Sequence, residues 1–103
     1  MIKVTVMYPQ REGARFDHAY YRDRHMPMVK ETLGAACTGY TVAKGLGGGA
    51  PGAPAPYVAY CELFFDSVPA FQQAFAPHAK TIMADVPNYT DIAPEMQVSE
   101  VVV

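Results

Sequence analysis

The 103-residue sequence has no tryptophan, only two cysteines and few charged side chains. Asp, Glu, Lys and Arg make up 17% of the chain, against roughly 25% in an average soluble domain, while half of the residues are hydrophobic. A chain of this length buries only roughly 60–65% of its unfolded surface on its own. The shortage of charge therefore suggests that a second subunit covers part of the surface.

Several kinds of site are disfavoured by what is missing. The net charge is -2 and the eight Lys and Arg residues are scattered, so no basic stripe is present to bind nucleic acid. No apolar run approaches the roughly 20 residues that span a bilayer, and the first residues lack the apolar core of a secretory leader. Cys37 and Cys61 fit neither zinc-site spacing nor a disulfide framework. We expect a cytoplasmic protein with packed thiols that binds neither nucleic acid nor a membrane.

The order of the predicted elements points to a known fold class. Asp17 is a suitable N-cap and Gly34 a suitable end for a first helix, and Ser67 begins a second helix that Pro77 bends or breaks. The strand-like segments are 2–8, 36–46, 56–65 and 95–103. The order βαββαβ predicts a single α+β, ferredoxin-like domain over residues 1–103, with a four-stranded antiparallel sheet. The Gly-, Ala- and Pro-rich segment 45–56 is predicted to be a mobile hairpin loop.

The third strand, Tyr57 to Phe65, suggests a homodimer. Its residues are apolar on both alternating faces, with Glu62 as the exception. Two helices can cover only one face of a four-stranded sheet, so a second copy packed sheet against sheet would bury the other face. The alternative is ordinary strand propensity in a monomer. A carboxylate in such a strand is costly unless it is paired, and Arg15, Arg22 or Arg24 is one expected partner of Glu62. The alternative is a salt bridge at an exposed edge or at the rim of the dimer.

The first helix places unusual groups on its predicted sheet-facing stripe. His18, Tyr21 and His25 fall on one side at 3.6 residues per turn, and the same stripe continues through Met28 and Thr32. Pro27 removes a backbone donor and frees the carbonyl of Asp23. A histidine here is suited to general acid–base catalysis, and a phenol to holding a substrate oxygen. The alternative is structural: Tyr21 and His25 satisfy the freed carbonyl, and apolar side chains fill the space.

Two ordered motifs resemble those of the EthD family of small dimeric α/β-barrel proteins. The first comprises Tyr8-Pro9, Gly13, Phe16-Asp17, Tyr20-Tyr21 and His25-Met26-Pro27, and the second is Asp85-Val86-Pro87-Asn88-Tyr89-Thr90. The resemblance implies a ferredoxin-like subunit that pairs its sheet with a second copy, with a cavity between sheet and helices. Relatives of this barrel include polyketide cyclases, cofactor-free monooxygenases and lactone isomerases. Members of the EthD family are often labelled reductases, yet no dinucleotide-binding G-x-G-x-x-G motif is present.

These observations predict a cofactor-independent enzyme of catabolic or secondary metabolism, acting on a small hydrophobic oxygenated compound. The candidate catalytic residues are His25 as proton carrier, Tyr21 as substrate-orienting group and Asp85 as the carboxylate that orients the imidazole. Glu62 is the alternative carboxylate for that role. The candidate substrate-binding residues are His18, Tyr20, Glu62, Phe75, His78 and Tyr89. No cofactor and no metal site are expected. Two alternatives stay open, namely a non-catalytic small-molecule-binding or accessory protein of an oxygenase system, and a site with a purely structural role.

Overall fold

The computed structural model describes residues 1–103 and confirms the βαββαβ order. The elements are β1 (Ile2–Pro9), α1 (His18–Tyr20), α2 (Met26–Leu33), β2 (Gly39–Lys44), β3 (Tyr57–Phe65), α3 (Val68–Phe75), α4 (Ala79–Ala84) and β4 (Glu95–Glu100). A π-helical turn, Tyr21–His25, joins α1 to α2, and 3₁₀ turns cover Gly34–Ala36, Ala76–His78 and Val86–Asn88. None of these helices has the length and apolar character needed to cross a membrane.

The four strands form one antiparallel sheet in the order β2-β3-β1-β4. In this register Val4 lies opposite Leu63 on one side and Val98 on the other. Alternate residues of β1 and β3 face the helices and are buried with them, which confirms the α+β ferredoxin-like class. The main members of this core are Ile2, Val4, Tyr8, Ala59, Cys61, Leu63, Phe65, Val29, Leu33, Phe71 and Ile82.

The opposite face of the sheet is more polar than the sequence of β3 suggests. Glu62 lies there, and its Oε2 accepts a hydrogen bond from Nζ of Lys3 at 2.6 Å. Thr5 and Gln97 lie beside it in the same row, so the neighbouring strands supply the polar residues that β3 lacks. The expectation that Arg15, Arg22 or Arg24 pairs with Glu62 is wrong. Lys3 takes this place because β1 and β3 are neighbours.

The first helix departs from a regular α-helix in its middle. It begins as expected, since a side-chain oxygen of Asp17 accepts from the backbone N–H of Tyr20 at 3.1 Å. The chain then widens by one residue, and the N–H of Met26 donates to the carbonyl of Tyr21, five residues back. Pro27 directly follows this wide turn, where the regular i→i−4 pattern of hydrogen bonds is already interrupted. Gly34, with φ of 67°, ends α2.

This wide turn changes which residues of the helix are buried. After it, Met26, Val29 and Leu33 face the sheet. Met28 and Thr32, which a regular helix would place on the buried stripe, are only half-buried. The prediction for those two positions is wrong because the π-turn inserts one extra residue and rotates the following turns.

The second helical segment follows the sequence closely. The hydroxyl of Ser67 accepts from the N–H of Ala70 at 3.2 Å and caps α3. Pro77 lies in the 3₁₀ turn that separates α3 from α4, so the predicted break occurs at this proline. In the 45–56 loop, Gly48 donates to the carbonyl of Ala53 at 2.9 Å, and a side chain at Gly45 would clash with the carbonyl of Tyr57.

Candidate functional site

A buried histidine and a carboxylate meet between the two helical segments. His25 is the last residue of the π-turn and is 4% exposed, and its Nδ1 lies 2.9 Å from Oδ2 of Asp85. Asp85 directly follows α4, and its side chain is 19% exposed. The pair therefore joins the interior of the subunit to its surface.

Two further side chains hold the other oxygen of this carboxylate. The hydroxyl of Tyr20 donates to Oδ1 of Asp85 at 2.7 Å, and Nδ2 of Asn88 donates to the same oxygen at 2.9 Å. Asn88 lies in the 3₁₀ turn that follows Asp85, three residues along the chain. With both oxygens engaged, the carboxylate has one orientation toward His25.

The segment after Asp85 is fixed to the start of the first helix. The hydroxyl of Thr90 donates to the carbonyl of Arg15 at 2.6 Å, and the N–H of Arg15 donates to Oδ1 of Asp91 at 2.9 Å. The N–H of Asp17 donates to the carbonyl of Tyr89 at 2.8 Å. These contacts join the two sequence motifs, so the residues that carry His25 and Asp85 are held at a fixed separation.

The charge state of the pair follows from its surroundings. Burial lowers the pKa of His25 below its ordinary value, although the hydrogen bond and the charge of Asp85 oppose this effect. Burial acts to raise the pKa of Asp85, but hydrogen bonds from Asn88, His25 and Tyr20 outweigh it and hold that pKa below the ordinary value. At neutral pH the histidine is neutral and the aspartate ionised. Because a carboxylate only accepts hydrogen bonds, Nδ1 carries the proton and Nε2 has the lone pair.

Beside His25 lies a narrow, almost entirely apolar cavity between helices and sheet. The centre of a water-sized sphere can occupy about 30 Å³ of its interior. All of the empty space, including the open mouth, amounts to about 450 Å³. The lining residues are Val4, Val6, Tyr8, Tyr21, His25, Met26, Val29, Cys61, Leu63, Phe71, Phe75, Ile82, Met83, Val86 and Met96. A ligand larger than one or two waters must displace side chains. Met83 and Met96, which are 41% and 47% exposed, are unbranched and suited to such movement.

The hydroxyl of Tyr21 is the one fully buried side-chain polar atom without a hydrogen-bond partner. The Cys61 thiol and the Tyr8 hydroxyl lie near it but lack hydrogen-bond geometry. The rings of Tyr21 and His25 are nearly parallel, with centroids 5.7 Å apart. Nε2 of His25 also has no partner in the chain. This nitrogen is not fully buried, so it is open to the cavity or to solvent. Two side chains whose rings stack on each other thus each have a polar atom without a partner in the chain.

The buried tyrosines and Cys61 are all protonated at neutral pH. Burial raises the pKa of Tyr8 to about 12, against the hydrogen bond that its hydroxyl makes with that of Tyr89 at 2.6 Å. Burial likewise raises the pKa of Tyr21 and of Tyr89 above the ordinary value. Burial raises the pKa of Cys61 to about 11, so this residue is a thiol rather than a nucleophilic thiolate.

Comparison with known proteins identifies the family. A model of the EthD domain matches residues 11–93. The chain belongs to the EthD family. It is 62% identical to an EthD-like protein from Ralstonia eutropha JMP134, with a TM-score of 0.95 over 99% of this chain and 92% of that one. No functionally curated protein matches the sequence.

More distant structures share the fold alone. An ethyl tert-butyl ether D (EthD) family protein from Bacillus halodurans C-125 is 19% identical, with a TM-score of 0.67 and coverage of 98% of both chains. A protein from Arabidopsis thaliana is 12% identical, with a TM-score of 0.71 over 100% of this chain and 97% of that one. The resemblance drawn from the two motifs is confirmed by the match of the family model.

The predicted residues of this EthD site divide into three groups. His25, Tyr21 and Phe75 line the cavity. Asp85, Tyr20 and Tyr89 lie next to it. Asp85 binds His25 and Tyr20, and the ring of Tyr89 lies 4.6 Å from that of His25. The remaining three, His18, Glu62 and His78, are not cavity-lining residues.

The placement of those three has simple causes. His18 precedes the π-turn and packs against Phe16, with ring centroids 4.7 Å apart. Glu62 lies on the other face of the sheet and is paired with Lys3. His78 is exposed in the turn before α4. The three histidines therefore do not converge, and no group of three His, Cys, Asp or Glu residues is arranged to hold a metal ion.

Sequence reasoning missed four residues of the site. Asn88 was visible only as part of the second EthD motif, although an amide three residues after a carboxylate is a local signal that a turn brings the two together. Tyr8 and Cys61 were assigned to strands without a role. Met26 was missed because the π-turn changed the helical register.

Proposed function

We propose that this EthD protein is a cytoplasmic, cofactor-independent enzyme that moves a proton on a small hydrophobic, oxygenated compound. The observation that carries the proposal is the His25–Asp85 pair at 2.9 Å beside an apolar cavity. Neutral imidazole with its lone pair on Nε2 acts as the base, and Asp85 stabilises the imidazolium that forms. Tyr21 orients the substrate.

The proposal requires no cofactor because the chain supplies both a base and a hydrogen-bond donor. Proton transfer by a positioned histidine contributes roughly 10²–10⁴-fold to a rate, and a cavity that excludes water strengthens the contact with Asp85. The nearly complete burial of His25 supports this use. Its lowered pKa keeps the base form available at neutral pH.

Native mass spectrometry combined with deuterium exchange tests the proposal. The protein is incubated with a panel of hydroxyaromatic, quinone, ketone and ether compounds, including ethyl tert-butyl ether. Retained compounds are then followed by ¹H NMR in D₂O. We expect a retained compound whose carbon-bound hydrogen exchanges faster with the protein than in buffer. His25→Gln should abolish this exchange, and the exposed His78→Gln should not.

The remaining outcomes separate the alternatives. A compound that is retained but shows no His25-dependent exchange would contradict the enzymatic proposal and favour a binding or accessory protein. A protein that retains nothing from the panel would favour a structural role for the His25–Asp85 pair.

We also propose that the functional form is a homodimer with sheet packed against sheet. Tyr60, Phe64 and Met7 lie on the face without helices, and Tyr60 is 37% exposed in the single chain. The charges of Lys3 and Glu62 on that face neutralise each other. Analytical ultracentrifugation should give twice the chain mass for the native protein and for Val68→Lys on the helical side. Tyr60→Lys should give a monomer, and a native monomer would contradict the proposal.

A further inference from the structure

The polar groups of the cavity restrict the compound that fits it. Its walls contain no lysine or arginine, and His25 is the only lining residue that ordinarily carries a charge near neutral pH. The ionised Asp85 lies directly behind that histidine. An anionic ligand would lose its hydration without gaining a cation, and it would approach an existing negative charge.

Tyr21 defines the hydrogen-bonding requirement of the same cavity. Its hydroxyl is fully buried, has no partner in the chain and belongs to a residue that is 1% exposed. An unpaired buried hydroxyl is costly. The ring that carries this one stacks on His25, and both residues line the cavity, so the cavity has a place for a ligand oxygen. Because its pKa is raised by burial, the phenol stays protonated and donates.

We infer that the cavity takes an uncharged carbonyl compound and converts it to its enolate, with the Tyr21 hydroxyl donating to the carbonyl oxygen and Nε2 of His25 accepting the α-proton. This inference rests on the proposed function and names its substrate class. In the step, the α C–H bond breaks and its proton goes to Nε2. The electron pair forms the carbon–carbon double bond, and the carbonyl π pair moves to oxygen. Return of the proton to the α-carbon regenerates the compound, and where a double bond is conjugated with the enolate, return to the γ-carbon gives an isomer. Neither path needs an oxidant or reductant.

Cys61 is the candidate nucleophile for a covalent attack on the same carbonyl, but its protonation state disfavours that reaction. This is the one thiol that lines the cavity, and burial raises its pKa to about 11. The thiolate needed for attack is therefore scarce at neutral pH. Proton transfer is the chemistry that remains for the groups present.

A matched pair of probes tests the ligand class without knowledge of the substrate. 4-Methylphenol imitates the neutral enol, since its oxygen accepts from Tyr21 and its O–H donates to Nε2. 4-Methylbenzoate has the same ring with a negative charge, and at about pH 8 the phenol is neutral and the acid ionised. Binding is measured by NMR shift changes at His25 and Met26. We expect the phenol to bind at least about tenfold more tightly than the benzoate.

Two variants test whether the Tyr21 hydroxyl makes the hydrogen bond to the bound phenol. Tyr21→Phe should weaken binding of 4-methylphenol about tenfold, the loss expected for one hydrogen bond, whereas Tyr57→Phe on the other side of the sheet should have no effect. Since the Tyr21 hydroxyl has no partner, the ligand-free Tyr21→Phe protein should be at least as thermally stable as the native one. A drop in stability would reveal a structural partner and overturn the inference.

The other outcomes distinguish this inference from the proposed function. Equal or tighter binding of 4-methylbenzoate, or unchanged phenol binding in Tyr21→Phe, would overturn the inference while leaving His25-dependent proton exchange untouched. Absence of binding by either probe up to its solubility would overturn the inference, whereas the proposed function would fail only if no compound in its own panel exchanged a proton.

Discussion

Among single residues, Asp85 has the largest influence on the charge of the site. Its carboxylate accepts from His25, Tyr20 and Asn88, and it is ionised at neutral pH. The sequence offered two carboxylates as partners for the histidine and could not choose between them. Glu62 is excluded by the face of the sheet on which it lies, and Asp85 is selected by a contact across 60 residues of sequence.

Replacing Asp85 by asparagine should lower the pKa of His25 further. The substitution keeps the shape of the side chain but removes the negative charge that favours imidazolium, while the burial that disfavours it persists. The pKa is measured by ¹⁵N NMR titration of the imidazole. The control is Asp66→Asn, which alters an exposed carboxylate before α3. An unchanged or higher pKa in Asp85→Asn would show that the carboxylate does not act on His25.

Thr90 is the residue through which the second motif is held in place. Its hydroxyl donates to the carbonyl of Arg15 and accepts from the N–H of Ile92 at 3.1 Å, and the residue is 2% exposed. Thr90→Val should lower the free energy of unfolding by about 2 kcal/mol or more, because two backbone groups lose their partner. Urea denaturation provides the measurement. Thr38→Val, which removes an exposed contact to a carbonyl, should cost less than about 0.5 kcal/mol.

At the level of elements, the strands and helices were predictable because their signals are local. Asp17 and Ser67 cap the two helical segments, Gly34 and Pro77 interrupt them, and apolar segments alternate with these signals in the order of a ferredoxin-like fold. The π-turn was not predictable, since no local rule requires a wide turn at Tyr21–His25. The carboxylate to which His25 points is distant in sequence, so tertiary contacts decide the geometry.

The π-turn reverses the expected effect of removing Pro27. In a regular helix Pro27→Ala would stabilise the protein by restoring a hydrogen bond, by up to about 3 kcal/mol. Here the π-turn directly before Pro27 already interrupts the regular hydrogen bonds, so removal of the proline mainly increases the freedom of the unfolded chain. We expect Pro27→Ala to lower the free energy of unfolding by about 0.4–1 kcal/mol. Pro69, in the first turn of α3 after the N-cap Ser67, is the control for a proline at a true helix start. A clear stabilisation by Pro27→Ala would contradict this expectation.

For the whole molecule, the buried phenols link stability to alkaline pH. Burial raises the pKa values of Tyr8, Tyr21 and Tyr89 above that of an unfolded tyrosine, which is about 10. A group whose pKa is raised by folding contributes stability that is fully present below its unfolded pKa. That stability is lost as the pH rises through the folded value. The molecule should therefore be insensitive to these groups below about pH 10 and lose stability above it.

A spectrophotometric titration near the phenolate absorption band measures this directly. Tyr8, Tyr21 and Tyr89, three of the seven tyrosines, should remain protonated above about pH 10 and should ionise together as the protein unfolds. Tyr8→Phe should reduce this step, which accompanies unfolding, by one tyrosine, and Tyr57→Phe on the other side of the sheet is the control. If all seven ionised near pH 10 with the circular dichroism of the folded protein intact, the three phenols would be accessible to solvent. The hydroxyl of Tyr21 would then bind water in the ligand-free protein, which would contradict its description as a buried donor without a partner.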